Sequence, residues 1–248
     1  MHPILFQIGN FKIYSYGVMV ALGFLAAVYL TAEEAKRRGI KRENILDIYL
    51  YAIIFGIIGA RALHVILEMD YYFKYPLEVI MINHGGLAFQ GGLIAGISAA
   101  CFVISRRRLP LLKTADMMVP YVALAQSIGR IGCFLNGCCY GVASDSFFAV
   151  AFSGQGECEH PVQVYLSVCF LAIFVILKKI YENNKIDGVV FALYLAMFSI
   201  VSFFVDFLRG DLAVVFLNFR VSQIISLAIL IISLIMLVSL KWKTIRSR

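Results

Sequence analysis

The stretch SIGRIGCFLNGCCYG, residues 127–141, decides how the rest of the chain is interpreted. It begins inside an apolar run of helical length and ends in a polar loop flanked by glycines. Arg130 lies in the apolar part, between Gly129 and Gly132. An arginine in a membrane-embedded helix costs about 2.5–3.5 kcal/mol on insertion scales, so it is expected to face the protein interior and to have a partner. That partner is either a helix carboxylate, which makes Arg130 structural, or an anionic ligand, which the small glycines let approach the planar guanidinium.

The composition indicates an integral membrane protein. Of the 248 residues, 61% are hydrophobic and the mean hydropathy is +0.86. Soluble domains are only about 45–50% apolar. No linker, low-complexity tract or internal repeat divides the sequence, which predicts a single polytopic domain over residues 1–248. The net charge of +7 does not indicate nucleic-acid binding, because the basic residues form short clusters between apolar runs rather than a stripe.

Apolar runs of spanning length, or nearly so, occupy residues 13–30, 48–67, 87–105, 115–135, 162–177, 188–207 and 221–240. A helix needs about 20 residues to cross about 30 Å of hydrocarbon, so the fifth run needs part of its basic flank. The runs are continuous rather than alternating in polarity, which favours helices over a barrel. The predicted fold class is therefore an all-α integral membrane protein with seven transmembrane helices.

The basic residues predict the orientation of these helices. Sixteen of the 22 lysines and arginines lie in the first, third and fifth connections and in the C-terminal tail, whereas four lie on the opposite side. Because short cytoplasmic segments carry the excess of positive charge, the N-terminus is expected outside and the C-terminus in the cytoplasm.

In this orientation the polar residues of the spans converge near the outer leaflet. Arg61 and His64 lie in the outer half of the second span, Arg130 lies near the outer end of the fourth, and Arg209 follows the sixth. Arginines at the depth of lipid headgroups favour a lipid phosphate as ligand. The spans contain few carboxylates, which argues against an ion channel, and no paired halves with broken helices, which argues against a secondary transporter.

Four cysteines lie on or near the predicted outer side: Cys133, Cys138, Cys139 and Cys158. The spacing Cys-x4-Cys-Cys is not a standard zinc pattern, so no metal site is predicted. Two other hypotheses stay open, namely a disulfide that includes Cys158 and a nucleophilic thiol whose pKa is lowered by Arg130.

At residues 127–141 the sequence resembles the prolipoprotein diacylglyceryl transferases, whose signature runs approximately G-R-x-G-N-F-x-N-x-E-x-x-G. The matching residues are Gly129, Arg130, Gly132, Phe134, Asn136 and Gly141. The likeness covers nearly the whole chain through further matches, which are Tyr16-Gly17, Gly59, Arg61, Gly85-Gly86, Gly91-Gly92-Leu93, Asp116, Pro120, His160-Pro161, Gln163, Tyr165, Phe207, Arg209 and Asp211. Seven spans with an external N-terminus are also typical of that family.

The sequence departs from the family at three positions linked to catalysis. Gln90 stands where the family usually has a histidine, and Cys133 and Cys138 stand where the signature has asparagine and glutamate. Glutamine has no titratable proton near neutral pH, so Gln90 at most orients substrate by hydrogen bonds.

The resemblance implies a transferase that moves a diacylglyceryl group from phosphatidylglycerol to the lipobox cysteine thiol of a preprolipoprotein. The product is a thioether, glycerol phosphate is released, and no metal or organic cofactor is expected. The implied partners are phosphatidylglycerol, preprolipoprotein signal peptides and membrane lipid, with no nucleic acid. The implied location is the bacterial cytoplasmic (inner) membrane, with the active site facing outward.

The resemblance also implies roles for individual residues. The candidate catalytic residues are Arg130, Arg209, His84 and Tyr16. The two arginines suit bidentate pairing with the departing phosphate. We favour His84 as the base that deprotonates the acceptor thiol, because it lies at the mouth of the third span; His64, Tyr16 or a substrate-derived oxygen are the alternatives. The candidate substrate-binding residues are Arg130, Arg61, Gly91, Gly92, Gln90, Asn136 and Gly141.

Two alternatives to this transferase remain. One is a paralogous membrane protein of the same fold that binds an anionic lipid or acts on another lipid or thiol substrate. The other is a thiol-redox membrane protein that uses Cys133, Cys138 and Cys139.

Overall fold

The protein is described here by a computed structural model, which covers residues 1–9, 11–81, 85–152, 158–210, 214–216 and 219–246. Within these residues, seven helices are long and apolar enough to cross a membrane. They are α1 (Ser15–Arg37), α2 (Arg42–Leu67), α4 (Phe89–Arg106), α5 (Leu111–Asn136), α6 (Val162–Asn183), α7 (Val189–Val205) and α8 (Val221–Arg246). Each overlaps one predicted span, and α6 includes its basic flank as expected. The predicted fold class is confirmed.

Short elements join the long helices. Strands β1 (Ile4–Ile8) and β2 (Phe11–Tyr14) form an antiparallel hairpin before α1. Between α2 and α4 lie a short helix, α3 (Met69–Lys74), and a 3-10 turn (Pro76–Ile80). Three further short elements separate α7 from α8, namely a 3-10 turn (Asp206–Leu208) and the antiparallel strands β3 (Val214–Phe216) and β4 (Phe219–Arg220).

The chain divides into two compact units. One comprises Met1–Leu30 with Ala115–Arg248, and the other comprises Thr31–Thr114. They are called the 1–30/115–248 unit and the 31–114 unit below, and each is described by itself. Whether they act as one domain, as the sequence predicts, stays a prediction.

In the 31–114 unit, α2 and α4 pack closely because glycines meet at their interface. A Cβ at Gly91 would overlap the Gly59 carbonyl oxygen, and a Cβ at Gly59 would lie 2.6 Å from the Gly91 carbonyl oxygen. About one turn earlier in α2, the Gly56 carbonyl oxygen would lie 3.1 Å from a Cβ at Gly92. Small residues let membrane helices approach until their backbones touch, and this explains the glycines here.

In the 1–30/115–248 unit, α5 is anchored to α6 by a reciprocal pair of serines. The Ser127 hydroxyl donates to the Ser167 carbonyl oxygen at 2.8 Å, and the Ser167 hydroxyl donates to the Ser127 carbonyl oxygen at 2.9 Å. Both serines are buried. Because every polar group away from water needs a partner, this pair fixes the two helices in register just before Arg130.

The same helix α5 also caps α7. The Asp116 carboxylate accepts hydrogen bonds from the backbone N–H groups of Gly188 and Phe191 at 2.6 and 2.7 Å. These donors belong to the first turn of α7 or the residue before it, where backbone N–H groups lack partners within the helix. Asp116 therefore does for α7 what an N-cap side chain usually does from within its own helix.

Candidate functional site

The site begins at the last turns of α5, where Gly132 brings α1 close. A Cβ at Gly132 would lie 3.4 Å from the Cα of Tyr16 and 2.9 Å from the Cβ of Met19. Tyr16 thereby comes near enough to Arg130 for the two side chains to interact electrostatically. Apart from its chain neighbours and the backbone of α5 itself, no described atom would lie within 4 Å of a Cβ at Gly129, which leaves space for a ligand beside Arg130.

The chain reverses immediately after α5. Gly137 has a left-handed φ of +72°, and Cys139 has one of +61°. The backbone N–H of Cys138 donates to the Cys133 carbonyl oxygen at 3.2 Å, as in a helix end closed by a left-handed glycine. This reversal folds the two adjacent thiols back towards Cys133, and the three sulfur atoms lie within 4.8 Å of one another.

The loop that carries these thiols is held from two sides. The Gln163 amide, fully buried at the start of α6, donates to the Cys138 carbonyl oxygen at 2.7 Å. The Asn136 side chain, at the last residue of α5, hydrogen-bonds the Cys138 sulfur. Asn136, a predicted substrate-binding residue, thus contacts the thiol cluster directly.

The two adjacent thiols have opposite electrostatic surroundings. Burial is the largest influence on Cys138 and raises the pKa of its thiol. For Cys139 the largest influence is a hydrogen bond with Cys133. Together with the positive charges of Arg209 and Arg130, that bond lowers the pKa of the Cys139 thiol to about 6, although burial opposes it. All six cysteines of the chain are free thiols in the structure.

Gly141 brings Arg209 to the same region. It forms an antiparallel bridge with Arg209, and its N–H donates to the His160 carbonyl oxygen at 2.9 Å. A Cβ at Gly141 would lie 2.7 Å from the Leu208 carbonyl oxygen and 2.7 Å from the Cβ of His160. No side chain fits there, so Gly141 is the point where the segments after α5, before α6 and after α7 meet. Arg209 itself lies 3.8 Å from the Asp206 carboxylate.

Arg130 has different surroundings. It is partly buried in α5, and its guanidinium makes no hydrogen bond or ion pair with any residue that the structure describes. A cationic side chain in a membrane helix that has no hydrogen bond or ion pair among the described residues is suited to a ligand or ordered water as its partner. Of the two hypotheses for Arg130, the structure favours the anion site over the pairing with a helix carboxylate.

In the 31–114 unit, Arg61 organises a loop. The side chain is 7% exposed, and its guanidinium lies 5.1 Å from the centre of the Tyr72 ring. The guanidinium donates to five backbone carbonyl oxygens, those of Glu78, Val79, Met81, Gly85 and Gly86. A guanidinium has five N–H donors, and all five are used. This geometry favours a structural role for Arg61, and its predicted contact with substrate stays a prediction.

Gly86 is the tightest point of this loop. Its φ is +75°, and a Cβ there would lie 2.5 Å from the Nε2 atom of His64 and 2.7 Å from the Nη1 atom of Arg61. The position therefore needs glycine for its backbone conformation and for space. His64 also contacts the Tyr72 ring edge to face at 6.0 Å.

The remaining predicted residues of this unit lie on α4 or before it. Gln90 is exposed in the first turn of α4, whereas Gly91 and Gly92 lie at the α2–α4 interface. Helix packing explains both glycines without a substrate. His84, the favoured base, lies outside the described residues.

The structure thus brings together five of the predicted site residues: Tyr16, Arg130, Asn136, Gly141 and Arg209. The sequence grouped Cys133, Cys138 and Cys139 only as alternative redox thiols near Arg130. It did not predict that their three sulfur atoms meet beside a second arginine, Arg209. The only signal for it was Gly137, a glycine placed to reverse the chain after a helix.

The fold and this site define a polytopic membrane protein with two arginines and three thiols at one helix end, suited to an anionic group and to sulfur chemistry. The chain belongs to the prolipoprotein diacylglyceryl transferase family, because the model of that family matches residues 3–239. The predicted family is therefore confirmed, and with it the transferase class of enzyme.

Relatives of similar length share this family name. A phosphatidylglycerol–prolipoprotein diacylglyceryl transferase of Finegoldia magna is 35% identical over 248 residues, which cover 100% of this chain and 99% of the relative. The enzyme of that name in Clostridium tetani is 36% identical, covering 94% of this chain and 96% of the relative. The one in Staphylococcus aureus is 33% identical, covering 95% of this chain and 88% of the relative.

Proposed function

We propose that the protein transfers a diacylglyceryl group from phosphatidylglycerol to the lipobox cysteine thiol of preprolipoproteins. The acceptor sulfur attacks the glycerol carbon that carries the phosphate, a C–S bond forms, and the C–O bond to phosphate breaks. The electron pair of that bond leaves with glycerol phosphate. Membership of the family and the names of the relatives support the substrates.

The observation that carries this proposal is the Arg130 guanidinium, which has no partner among the described residues and lies beside an open glycine. Negative charge grows on the departing phosphate in the transition state. A planar guanidinium can stabilise such charge by bidentate, charge-assisted hydrogen bonds to the phosphate. Arg209 adds a second positive charge near the same thiols.

The acceptor thiol must lose its proton, since the thiolate is the nucleophile and a free cysteine has a pKa of about 8.5. In this proposal His84 takes that proton. A general base contributes at least about 100-fold to a rate, and solvent can replace part of that contribution. Replacing His84 with glutamine is therefore expected to reduce transfer at least about tenfold. The reverse change Gln90→His is expected to be tolerated. Transfer assays across the pH range around neutrality test whether His84 is the base. Full activity of His84→Gln with an unchanged pH profile would exclude His84 and leave His64 or Tyr16 as the base.

The location proposed is the bacterial inner membrane, with the site open to the outer leaflet. The excess of basic residues in the connections assigned to the cytoplasm supports this orientation. It also matches the substrates, since a secreted preprolipoprotein and phosphatidylglycerol both reach that leaflet.

A second candidate is favoured by the departures from the family at Gln90, Cys133 and Cys138. It is a paralogue with the same anion site that acts on another lipid or another thiol. Purified full-length protein incubated with phosphatidylglycerol and a lipobox peptide separates the two, with mass spectrometry of the thioether product. The matched control peptide has serine in place of the acceptor cysteine. Thioether product from the cysteine peptide supports transfer. If no product forms and the purified protein retains other phospholipids, the result supports the paralogue.

A further inference from the structure

The three thiols after α5 have the arrangement of a metal site. Among the described histidine, cysteine and acidic residues, Cys133, Cys138 and Cys139 are the one group of three whose ligand atoms are clustered, with all sulfurs within 4.8 Å of one another. Zinc–sulfur bonds of about 2.3 Å place tetrahedral sulfur ligands about 3.8 Å apart. The sulfur atoms therefore need to approach one another by at most about an ångström to bind one zinc ion.

The backbone holds these ligands in place before any ion binds. Cys133 is 8% exposed in the last turn of α5, and the left-handed residues Gly137 and Cys139 return the chain onto it. The buried Gln163 fixes the Cys138 carbonyl. A spacing that matches no standard zinc pattern in sequence thus becomes a compact ligand set through one tight reversal.

We propose that Cys133, Cys138 and Cys139 bind one zinc ion, and that the fourth position of this ion takes the acceptor thiol of the substrate. Soft thiolate ligands select zinc among the common divalent ions. Three protein ligands with one open position are typical of catalytic zinc sites, whereas structural sites are closed by four. Zinc with three thiolates carries a net charge of −1, and the neighbouring Arg130 and Arg209 compensate it.

This inference rests on the proposed transfer and supplies a step that Gln90 cannot perform. A thiol that coordinates zinc is deprotonated outright, so its proton is released to water and the sulfur stays bound as thiolate. That sulfur then attacks the glycerol carbon, the C–S bond forms as the C–O bond breaks, and glycerol phosphate leaves with the electron pair. The thioether product is a weaker ligand than a thiolate and leaves the ion, whose oxidation state never changes.

Metal binding is tested first, without any substrate. Full-length protein purified under reducing conditions is analysed for zinc and titrated with Co²⁺, whose absorption spectrum reports tetrahedral thiolate ligation. We expect one ion per chain, and binding weakened more than about 100-fold in Cys133→Ser and Cys139→Ser, because loss of an outer partner alone costs about 10–100-fold. The matched control is Cys169→Ser, a partly buried cysteine within α6. Protein that binds no metal overturns the proposal, and so does a variant with both Cys133→Ser and Cys139→Ser that still binds metal. An intramolecular disulfide among the three cysteines in freshly purified protein also overturns it.

The open position is tested next, with the Co²⁺-loaded protein. A lipobox peptide is expected to shift the Co²⁺ spectrum, and the peptide with serine at the acceptor position is not. A spectrum that neither peptide shifts makes the site structural and overturns the thiol-binding step.

A transfer assay on metal-stripped and zinc-reloaded protein separates this inference from the proposed function. Full transfer by stripped protein leaves the transferase intact and overturns the zinc site. Binding of the acceptor thiol to the Co²⁺ form without any transfer supports the site and overturns the proposed function.

Discussion

Arg130 and Arg61 are the same residue type in two membrane helices, but their surroundings differ. Arg130 makes no hydrogen bond or ion pair with a described residue, whereas Arg61 donates to five carbonyl oxygens. The same Arg→Lys substitution at the two positions is therefore expected to have different effects, and each serves as the control for the other.

At Arg130, lysine keeps the charge but loses the planar fork that pairs with phosphate. A charge-assisted hydrogen bond contributes about 1.5–3 kcal/mol, so Arg130→Lys is expected to lower transfer about 10–100-fold. The thermal unfolding midpoint in detergent should not change, because no described residue bonds to this guanidinium. Near-normal turnover of the lysine variant would instead make Arg130 structural.

At Arg61, lysine has three donors for five carbonyl acceptors. Arg61→Lys is expected to lower the stability of the 31–114 unit by about 3 kcal/mol, since buried carbonyl groups lose charged partners. Thermal unfolding followed by circular dichroism measures this loss. An unchanged midpoint together with lost activity would restore the substrate-binding role that the sequence predicts.

The sequence could not distinguish these two arginines. Both stand near glycines in apolar runs, and the acceptors of Arg61 lie 17 to 25 residues further along the chain. Which carbonyl groups turn towards a guanidinium depends on the course of a loop, and no local pattern encodes it. The thiol cluster was missed for a similar reason, because the left-handed conformation of Cys139 is rare for residues other than glycine.

At the scale of elements, the helices were predicted well because hydrocarbon leaves few choices. A spanning segment must satisfy its backbone internally, so a long apolar run becomes a helix. The hairpin of β1 and β2 and the short pair β3 and β4 were not predicted, since strands of two to five residues carry too little alternation to read.

One interaction between elements has a measurable consequence. Asp116→Ala removes the acceptor for the Gly188 and Phe191 N–H groups at the start of α7. Loss of a capping side chain costs about 0.5–2 kcal/mol, so the variant is expected to unfold at a lower temperature. The matched control is Asp145→Ala, which removes an exposed carboxylate from a loop of the same unit and should leave the midpoint unchanged. Equal midpoints for the two variants would show that Asp116 does not stabilise α7.

At the scale of the whole molecule, the orientation in the membrane is still a prediction. Lys74, at the end of α3, is expected outside, and Lys113, in the first turn of α5, is expected in the cytoplasm. Intact cells treated with an amine reagent that does not cross membranes should therefore be labelled at Lys74 and not at Lys113, as read by peptide mass spectrometry. The reverse labelling pattern would invert the topology and move the thiol cluster to the cytoplasmic side. Permeabilised cells, in which both lysines should react, control for reactivity.

The five carbonyl bonds of Arg61 also constrain how the protein is made. When Arg61 emerges from the ribosome, its acceptors are still inside the exit tunnel, and the last of them lies 25 residues behind. At about 5–20 residues per second, the guanidinium waits for seconds without its partners. During that interval its charge keeps the C-terminal half of α2 in contact with water or with the translocon. Release of α2 into lipid therefore follows the emergence of the loop, which makes α2 and α4 insert as a pair.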